Sequence, residues 1–273
     1  MIAFRRAQFG SVVVETFRCL SDNYVSLIGQ HDSIDRAVVD PGDADRVIDF
    51  INQEGLRLTA ILNTHHHPDH VGGNQALQSE YQIPAYVAAR DLTRISGSSH
   101  GLREGSEIVA AGVPITVLEI PGHTEGQIAF LNADAGIVFV GDTLFSMGCG
   151  RLFEGTPAQM LNSLHKLMAL PAETKFFVGH EYTLRNGEFA KNIEPHNFEI
   201  GSRITAAATA LSDLPIDAQI LEPVSLQLEL KTNPFLRGLN TQIAERIGVS
   251  VNLLPDEREL EVFTKLREMR NRF

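Results

Sequence analysis

The chain has 273 residues, 43% hydrophobic and 21% charged, with a formal net charge of −11, enough for one large domain or a medium domain plus a small one. The acidic balance argues against nucleic acid as a partner, since phosphate binding needs a basic footprint, and no apolar run approaches the ~20 residues that cross a bilayer. Met1–Arg6 lacks the apolar stretch of a secretory leader, and two cysteines, Cys19 and Cys149, are too few for a disulfide framework, so a cytoplasmic monomer is expected, with no membrane partner.

The first part of the chain alternates short β-rich runs with turn signals. Val12–Phe17, Val25–Ile28 and Ala37–Val39 read as strands, the last ending in the turn Asp40-Pro41-Gly42. Ala44–Asn52 has a helical pattern, and Leu58–Leu62 is a buried strand that runs directly into Thr64-His65-His66-His67-Pro68-Asp69-His70. A helix is expected from Val71 to Glu80, then strands at Tyr86–Val87, Ile115–Ile120, Ile128–Asn132, Ile137–Val140 and Phe176–Val178. Gly155–Leu170 is the clearest helix: Thr156 caps it, Pro157 suits its first turn, and Met160, Leu161, Leu164, Leu167 and Met168 recur with helical period. After Tyr182 the texture turns helical, over Arg185–Glu194, Phe198–Leu211, Asn240–Ile247 and Glu257–Arg272, with weak strand signal only around Val224–Leu230. This shift places a domain boundary near residue 182, giving domains 1–182 and 183–273.

The histidine run carries the chemistry. Alternate residues of an extended segment share a side, so His65 and His67 face one point, and Pro68 biases His67 towards that extended conformation. Asp69 and His70 then open a helix, offset from the first pair, which suits two adjacent ions better than one. Three further residues each follow a strand through a glycine: His123 after Pro121-Gly122, Asp142 after Gly141, and His180 after Gly179. Alone, each would read as an ordinary loop residue, and Asp69 as a helix cap. Together they give His65, His67 and His123 to one ion, Asp69, His70 and His180 to a second, and leave Asp142 to bridge both. Two ions sharing a water make hydroxide available near neutral pH. The donors are all nitrogen and oxygen, which fits zinc and leaves iron or manganese open. Cys149 reads as a packing residue. His31, His100, His165 and His196 read as surface or structural positions, and His66 points away from its neighbours.

These motifs, with Gly141-Asp142-Thr143-Leu144-Phe145 and Gly179-His180-Glu181-Tyr182-Thr183, resemble the metallo-β-lactamase superfamily. Gly148-Cys149-Gly150-Arg151, Asn233-Pro234-Phe235-Leu236-Arg237 and the basic C-terminal helix narrow the resemblance to glyoxalase II, the hydroxyacylglutathione hydrolases, over nearly the whole chain. The resemblance implies an α/β fold, an αββα sandwich with a small C-terminal helical domain that completes the substrate site. It implies hydrolysis of S-(2-hydroxyacyl)glutathione, typically S-D-lactoylglutathione, to glutathione and D-lactate by a hydroxide bridging two metal ions, the final step of methylglyoxal detoxification. Asp69 and Asp142 are then the catalytic carboxylates, and Asp40 a brace behind the ligands. The family's glutathione-binding cation falls on Arg151, and its next tyrosine on Phe153, which lacks the hydroxyl. Tyr182 is kept, and the basic pair of the last helix falls on Arg267 and Arg270, where a solvated helix end is the simpler reading of the residues alone. The rival inside the fold is a persulfide dioxygenase with a single iron, for which Asp69, His70 and His180 would be surplus. A rival outside enzymology, a silent scaffold or RNA-processing relative, fits neither the acidic surface nor the complete donor set.

Overall fold

The computed structural model describes residues 1–212 and 214–273. In chain order the strands are β1 (Phe4–Phe9), β2 (Val12–Cys19), β3 (Asn23–Gln30), β4 (Asp35–Val39), β5 (Arg57–Leu62), β6 (Ala85–Ala88), β7 (His100–Leu102), β8 (Glu107–Ala110), β9 (Val113–Glu119), β10 (Ile128–Asn132), β11 (Ile137–Gly141), β12 (Leu144–Phe145), β13 (Gly148–Cys149), β14 (Lys175–Val178) and β15 (Val224–Ser225). The α-helices are α1 (Ala44–Glu54), α2 (Pro68–Val71), α3 (Asn74–Tyr81), α4 (Pro157–Met168), α5 (Thr183–Ile193), α6 (Phe198–Ser212), α7 (Leu226–Thr232), α8 (Thr241–Ile247) and α9 (Pro255–Arg272). Among the described residues, no helix is long and apolar enough to cross a membrane.

Two sheets form the centre. One runs β1-β2-β3-β4-β5-β6-β7 and the other β15-β14-β11-β10-β9-β8. Their facing sides share a core in which Val14, Ile28, Val39 and Leu62 meet Val117, Phe130, Phe139 and Phe177. The outer face of the first sheet packs Phe17, Leu27 and Val38 on Val47, Phe50 and Ile51 of α1 and Leu77 of α3. The outer face of the second packs Ala129, Val138 and Val140 on Met160, Leu164 and Leu167 of α4, and the same cluster continues into Phe189, Phe235, Ile243, Val262 and Phe263. The layers are therefore αββα, as expected, and the C-terminal helices share a core with the second sheet. Strands with both faces covered read as unbroken apolar runs, and β11, Ile-Val-Phe-Val-Gly, is buried throughout.

Local chemistry sets the ends of the helices. Asp43 caps α1 by accepting from the Arg46 amide, and Gly55 closes it in the left-handed region. Thr156 and Gln159 form a reciprocal capping box at the start of α4.

The structure corrects the sequence reading in three places. The expected helix from Val71 to Glu80 is two, α2 and α3, parted at Gly72-Gly73, where a side chain on either glycine would meet the backbone of Pro41, Gly42 or Pro68. The strand signal over Val224–Leu230 yields only Val224–Ser225, then α7. Leu226, Leu228 and Leu230 alternate as in a strand, yet α7 buries Leu226, Glu229 and Thr232, a helical spacing whose polar members hide it. Glu229 is buried because Arg203 Nη2 donates to it at 2.7 Å, with the Met147 amide and Asn233 Nδ2 each at 2.9 Å. Lastly, β1, β7, β8, β12 and β13 escaped notice, being short or interrupted by charge, as at Arg5-Arg6.

A buried ion pair braces the first sheet. Arg36 on β4 donates to both carboxylate oxygens of Glu15 on β2, at 2.8 and 3.0 Å, while its Nη1 serves the carbonyls of Ser33 and Asp35. Neither side chain is more than 4% exposed. Arg36→Met leaves the buried Glu15 only the half-exposed Arg6, at 3.1 Å, so it is expected to lower unfolding free energy by about 3 kcal/mol in urea titration, the low end for a broken buried pair.

Candidate metal centre and substrate cleft

The histidine run begins at the C-terminal end of β5, an interior strand of the first sheet. Thr64 N and Oγ1 donate to the two oxygens of Asp40, at 2.7 and 2.6 Å, which fixes the run against the turn after β4. His67 is extended, with φ −61° and ψ 143°, immediately before Pro68 opens α2. As a result His65 Nε2 and His67 Nδ1 lie 3.1 Å apart. His123, on the loop after β9, brings its Nε2 to 3.0 Å from His67 Nδ1. These three histidines form one group with metal-ligand spacing, and Asp69, His70 and His180 form another. His70 Nε2 and His180 Nε2 are 3.2 Å apart.

Asp142 lies between the groups. Its Oδ2 is 3.4 Å from His123 Nε2 and 3.3 Å from His180 Nε2, and its Oδ1 is 3.5 Å from His70 Nε2. Two glycines make this approach possible. Gly141 has φ +48°, and a Cβ there would sit 2.2 Å from Thr64 Oγ1. A Cβ on Gly179 would sit 2.3 Å from Asp142 Oδ1 and 2.8 Å from His70 Cε1. The glycine before the donor is thus a requirement of space as well as of turning.

The residues present fit two divalent ions. Asp142 Oδ1 is buried without a hydrogen-bond partner, and three pairs of ring nitrogens face one another across about 3 Å. Lone pairs so placed call for a shared cation. The opposite ring nitrogens are engaged elsewhere. His70 Nδ1 donates to Asp40 Oδ2 at 3.1 Å, His180 Nδ1 to Asp22 Oδ1 at 2.8 Å, and His123 Nδ1 to the Arg151 carbonyl at 2.9 Å. His65 Nδ1 lies 3.1 Å from Thr64 Oγ1, whose own proton goes to Asp40. Each contact fixes a tautomer that leaves the inward nitrogen free as a ligand.

The two halves differ electrostatically. Burial, then the neighbouring histidines, pushes His65 well down and His67 to about 4, which favours neutral imidazoles. Burial works against the charges of Asp69 and Asp142, but the surrounding histidines outweigh it, and both carboxyls stay well below the usual range. The same carboxylates, with Asp22, raise His180 against its own burial. Asp69 is also held by Asn23 Nδ2, which donates to its Oδ2 at 2.9 Å.

The centre opens into a cleft of about 460 Å³. Arg151, Phe153, Tyr182, Arg267 and Arg270 all line it, together with donors of both groups. The ring of Phe153 stands edge-on to His67 and His123, with centroids 5.4 and 5.3 Å away, and Tyr182 stacks on His180 at 5.0 Å. Arg267 and Arg270 are not a solvated helix end: they are 5% and 8% exposed. Arg267 Nη1 donates to the Cys149 carbonyl at 2.6 Å, and Arg270 Nε and Nη2 donate to Asn186 Oδ1 at 3.2 and 3.0 Å. Cys149 is buried and packs in the core of the second sheet, as its sequence context suggested.

Sequence reasoning missed Asp22 and Asn23, which reach the centre from the β2–β3 turn and the first residue of β3, and Arg185 and Asn186, which line the cleft from the first turn of α5. No local pattern marks them, because their partners lie far off in the chain. His66 does point away: its Nδ1 faces Asp91 at 3.3 Å, and Arg94 Nη2 donates to its Nε2 at 2.7 Å.

Comparisons with known proteins agree with this architecture. The model of the metallo-beta-lactamase superfamily matches residues 23–180, and that of the hydroxyacylglutathione hydrolase C-terminus matches residues 181–273. A hydroxyacylglutathione hydrolase of Methylococcus capsulatus is 42% identical over 254 residues, spanning 93% of this chain and 96% of its own. Another, from a Synechococcus species, is 42% identical over 267 residues, spanning 95% and 99%. Among solved structures, ETHE1 from Myxococcus xanthus shares the fold, with a TM-score of 0.62 at 23% identity over 98% of this chain and 99% of its own. The di-iron-bound form of TTHA1623 has a TM-score of 0.59 at 26% identity over 81% and 98%. The donor set and these likenesses together support a binuclear divalent-metal site. The chain belongs to the hydroxyacylglutathione hydrolase family of the metallo-β-lactamase superfamily.

Proposed function

We propose that this protein hydrolyses S-(2-hydroxyacyl)glutathione thioesters, S-D-lactoylglutathione foremost, to glutathione and D-lactate, and so serves methylglyoxal detoxification. The observation that carries the reading is one cleft lined both by donors for two ions and by guanidiniums suited to the carboxylates of glutathione. His65, His67 and His123 would hold one ion and Asp69, His70 and His180 the other, with Asp142 shared. When bound, the ions supply an activated water and a Lewis acid for the thioester carbonyl. Zinc is the metal best suited to this imidazole-rich, sulfur-free set, with iron or manganese as alternatives that metal analysis separates.

The protein's own groups then do the following. Asp69 and Asp142 stay ionised and face the reacting water, Asp69 oriented by Asn23. Arg151, Arg267, Arg270 and Tyr182 receive the glutathione moiety, and Phe153, lacking a hydroxyl, contributes an apolar wall beside His67 and His123. Glutathione departs as a thiolate; with a thiol pKa near ~8.5 it needs no acid to protonate it. Residues 1–182 would form the catalytic unit and 183–273 the substrate-binding unit. Both cysteines are free and buried, which accords with a cytoplasmic setting, and we take the working form as a monomer.

Thioester hydrolysis measured on S-D-lactoylglutathione and on lactoyl-CoA is expected to favour the glutathione substrate strongly; equal rates on both would sink the substrate assignment and spare the metal centre. Asp142→Ala and His67→Ala should each lower kcat at least about 1000-fold, roughly 4 kcal/mol, with bound metal falling from two ions per chain. Near-normal turnover by either folded variant would overturn the scheme. Asp40 has φ +51°, a conformation that asparagine tolerates, so Asp40→Asn removes the charge behind His70 while sparing the turn. Metal affinity or turnover should fall about 10–100-fold, read by competition with a chelating indicator and by kcat.

A further inference from the structure

Four guanidiniums line the cleft, those of Arg151, Arg185, Arg267 and Arg270. Their arrangement is unusual in a chain of net charge −11, where Arg36, Arg94 and Arg203 each sit on a carboxylate. Here no carboxylate pairs with any of the four among the described residues. Arg267 is committed to the Cys149 and Gly150 carbonyls, and its buried Nε has no partner. Arg270 spends its Nε and Nη2 on Asn186. Arg151 and Arg185 differ: both are exposed, and no hydrogen bond or ion pair engages either guanidinium among the described residues; Arg185, in the first turn of α5, is adjacent in sequence to Asn186, the partner of Arg270. Burial first, then the charges of Arg267, Arg185 and Arg151, push Arg270 down to about 10, so these like charges feel one another. Gathering them is unfavourable until an anion arrives to offset the repulsion.

We propose that Arg185 is a specificity-determining residue for the thiol half of the substrate, its free guanidinium pairing with a terminal carboxylate of the glutathione moiety beside the anchored Arg270. This rests on the thioester-hydrolase reading above. Arg267 and Arg270 supply a fixed field from within the wall, whereas Arg151 and Arg185 bring unengaged guanidiniums to the cleft, forks that can meet a carboxylate at two points; of the two, Arg185 adjoins Asn186, which holds Arg270.

The test compares wild type, Arg185→Ala and Arg185→Lys on three D-lactoyl thioesters: that of glutathione, that of glutathione amidated at its glycine carboxylate, and that of cysteinylglycine, which lacks the γ-glutamyl carboxylate. Arg103→Ala, an exposed arginine outside the cleft, controls for the loss of one positive charge. For the glutathione thioester, Arg185→Ala is expected to raise KM about tenfold with kcat within about twofold, and Arg185→Lys to recover part of the loss. The KM difference between wild type and Arg185→Ala should vanish on the one analogue that lacks the carboxylate Arg185 holds, which identifies it. An unchanged KM on the glutathione thioester, an equal rise on all three substrates, or the same rise in Arg103→Ala would each overturn the proposal. If wild type itself shows no preference for glutathione over coenzyme A, the parent reading fails; if that preference stands while Arg185→Ala matches wild type, only the role of Arg185 fails.

Discussion

A buried carboxylate that faces three imidazole nitrogens, as Asp142 does, is the constraint around which the rest of the structure is arranged. Removing such a group from water is costly unless cations replace the lost hydration. The replacement must come from several directions at short range, and no single loop supplies it. The two sheets provide the solution. β5 delivers the histidine run from one sheet, while β9, β11 and β14 deliver His123, Asp142 and His180 from the other, and the shared core between the sheets holds these strand ends in register. A displacement within that core would move the donors relative to one another, which ties packing directly to chemistry.

Behind the donors lies a layer of contacts that do not face the substrate. Asp40 receives Thr64 and His70 at once, and Asp22 receives His180. Each of these carboxylates comes from a turn that follows a strand of the first sheet. Turns are ordinarily the mobile part of a fold, but here the hydrogen bonds anchor them to the histidines they orient. The site thus stiffens its own supports, and ligand direction is set before an ion arrives.

What was legible in the sequence follows the range of the interaction involved. The run from His65 to His70 and the strand-glycine-donor pattern at Gly122-His123, Gly141-Asp142 and Gly179-His180 carry their meaning within a few residues, and the structure brings all seven donors together. Doubly covered strands such as β11 announce themselves as apolar runs. Helix α7 did not, because its buried face carries Glu229 and Thr232, satisfied by groups that periodicity cannot see. Asp22 meets His180 across 158 residues, and Arg267 meets the Cys149 carbonyl across 118. Spacing on α9 placed Arg267 and Arg270 on one face but could not tell a wetted end from a buried one; the resemblance to a family, rather than pattern, directed attention to them.

The contact between α9 and the hairpin of β12 and β13 has a consequence for how the protein comes into being. A chain emerges from its N-terminus at about 5–20 residues per second, so the donors, complete at His180, are outside well before Arg267 and Arg270 appear. Until then α4, which covers Ala129, Val138 and Val140 on the second sheet, lacks its own neighbours Phe235, Val262 and Phe263. Helix α9 therefore does two jobs at once, completing an apolar cluster and adding Arg267 and Arg270 to the wall of the cleft. Synthesis thus delivers the donor cluster before the arginines that line its cleft, and the apolar cluster and the cleft wall are completed together.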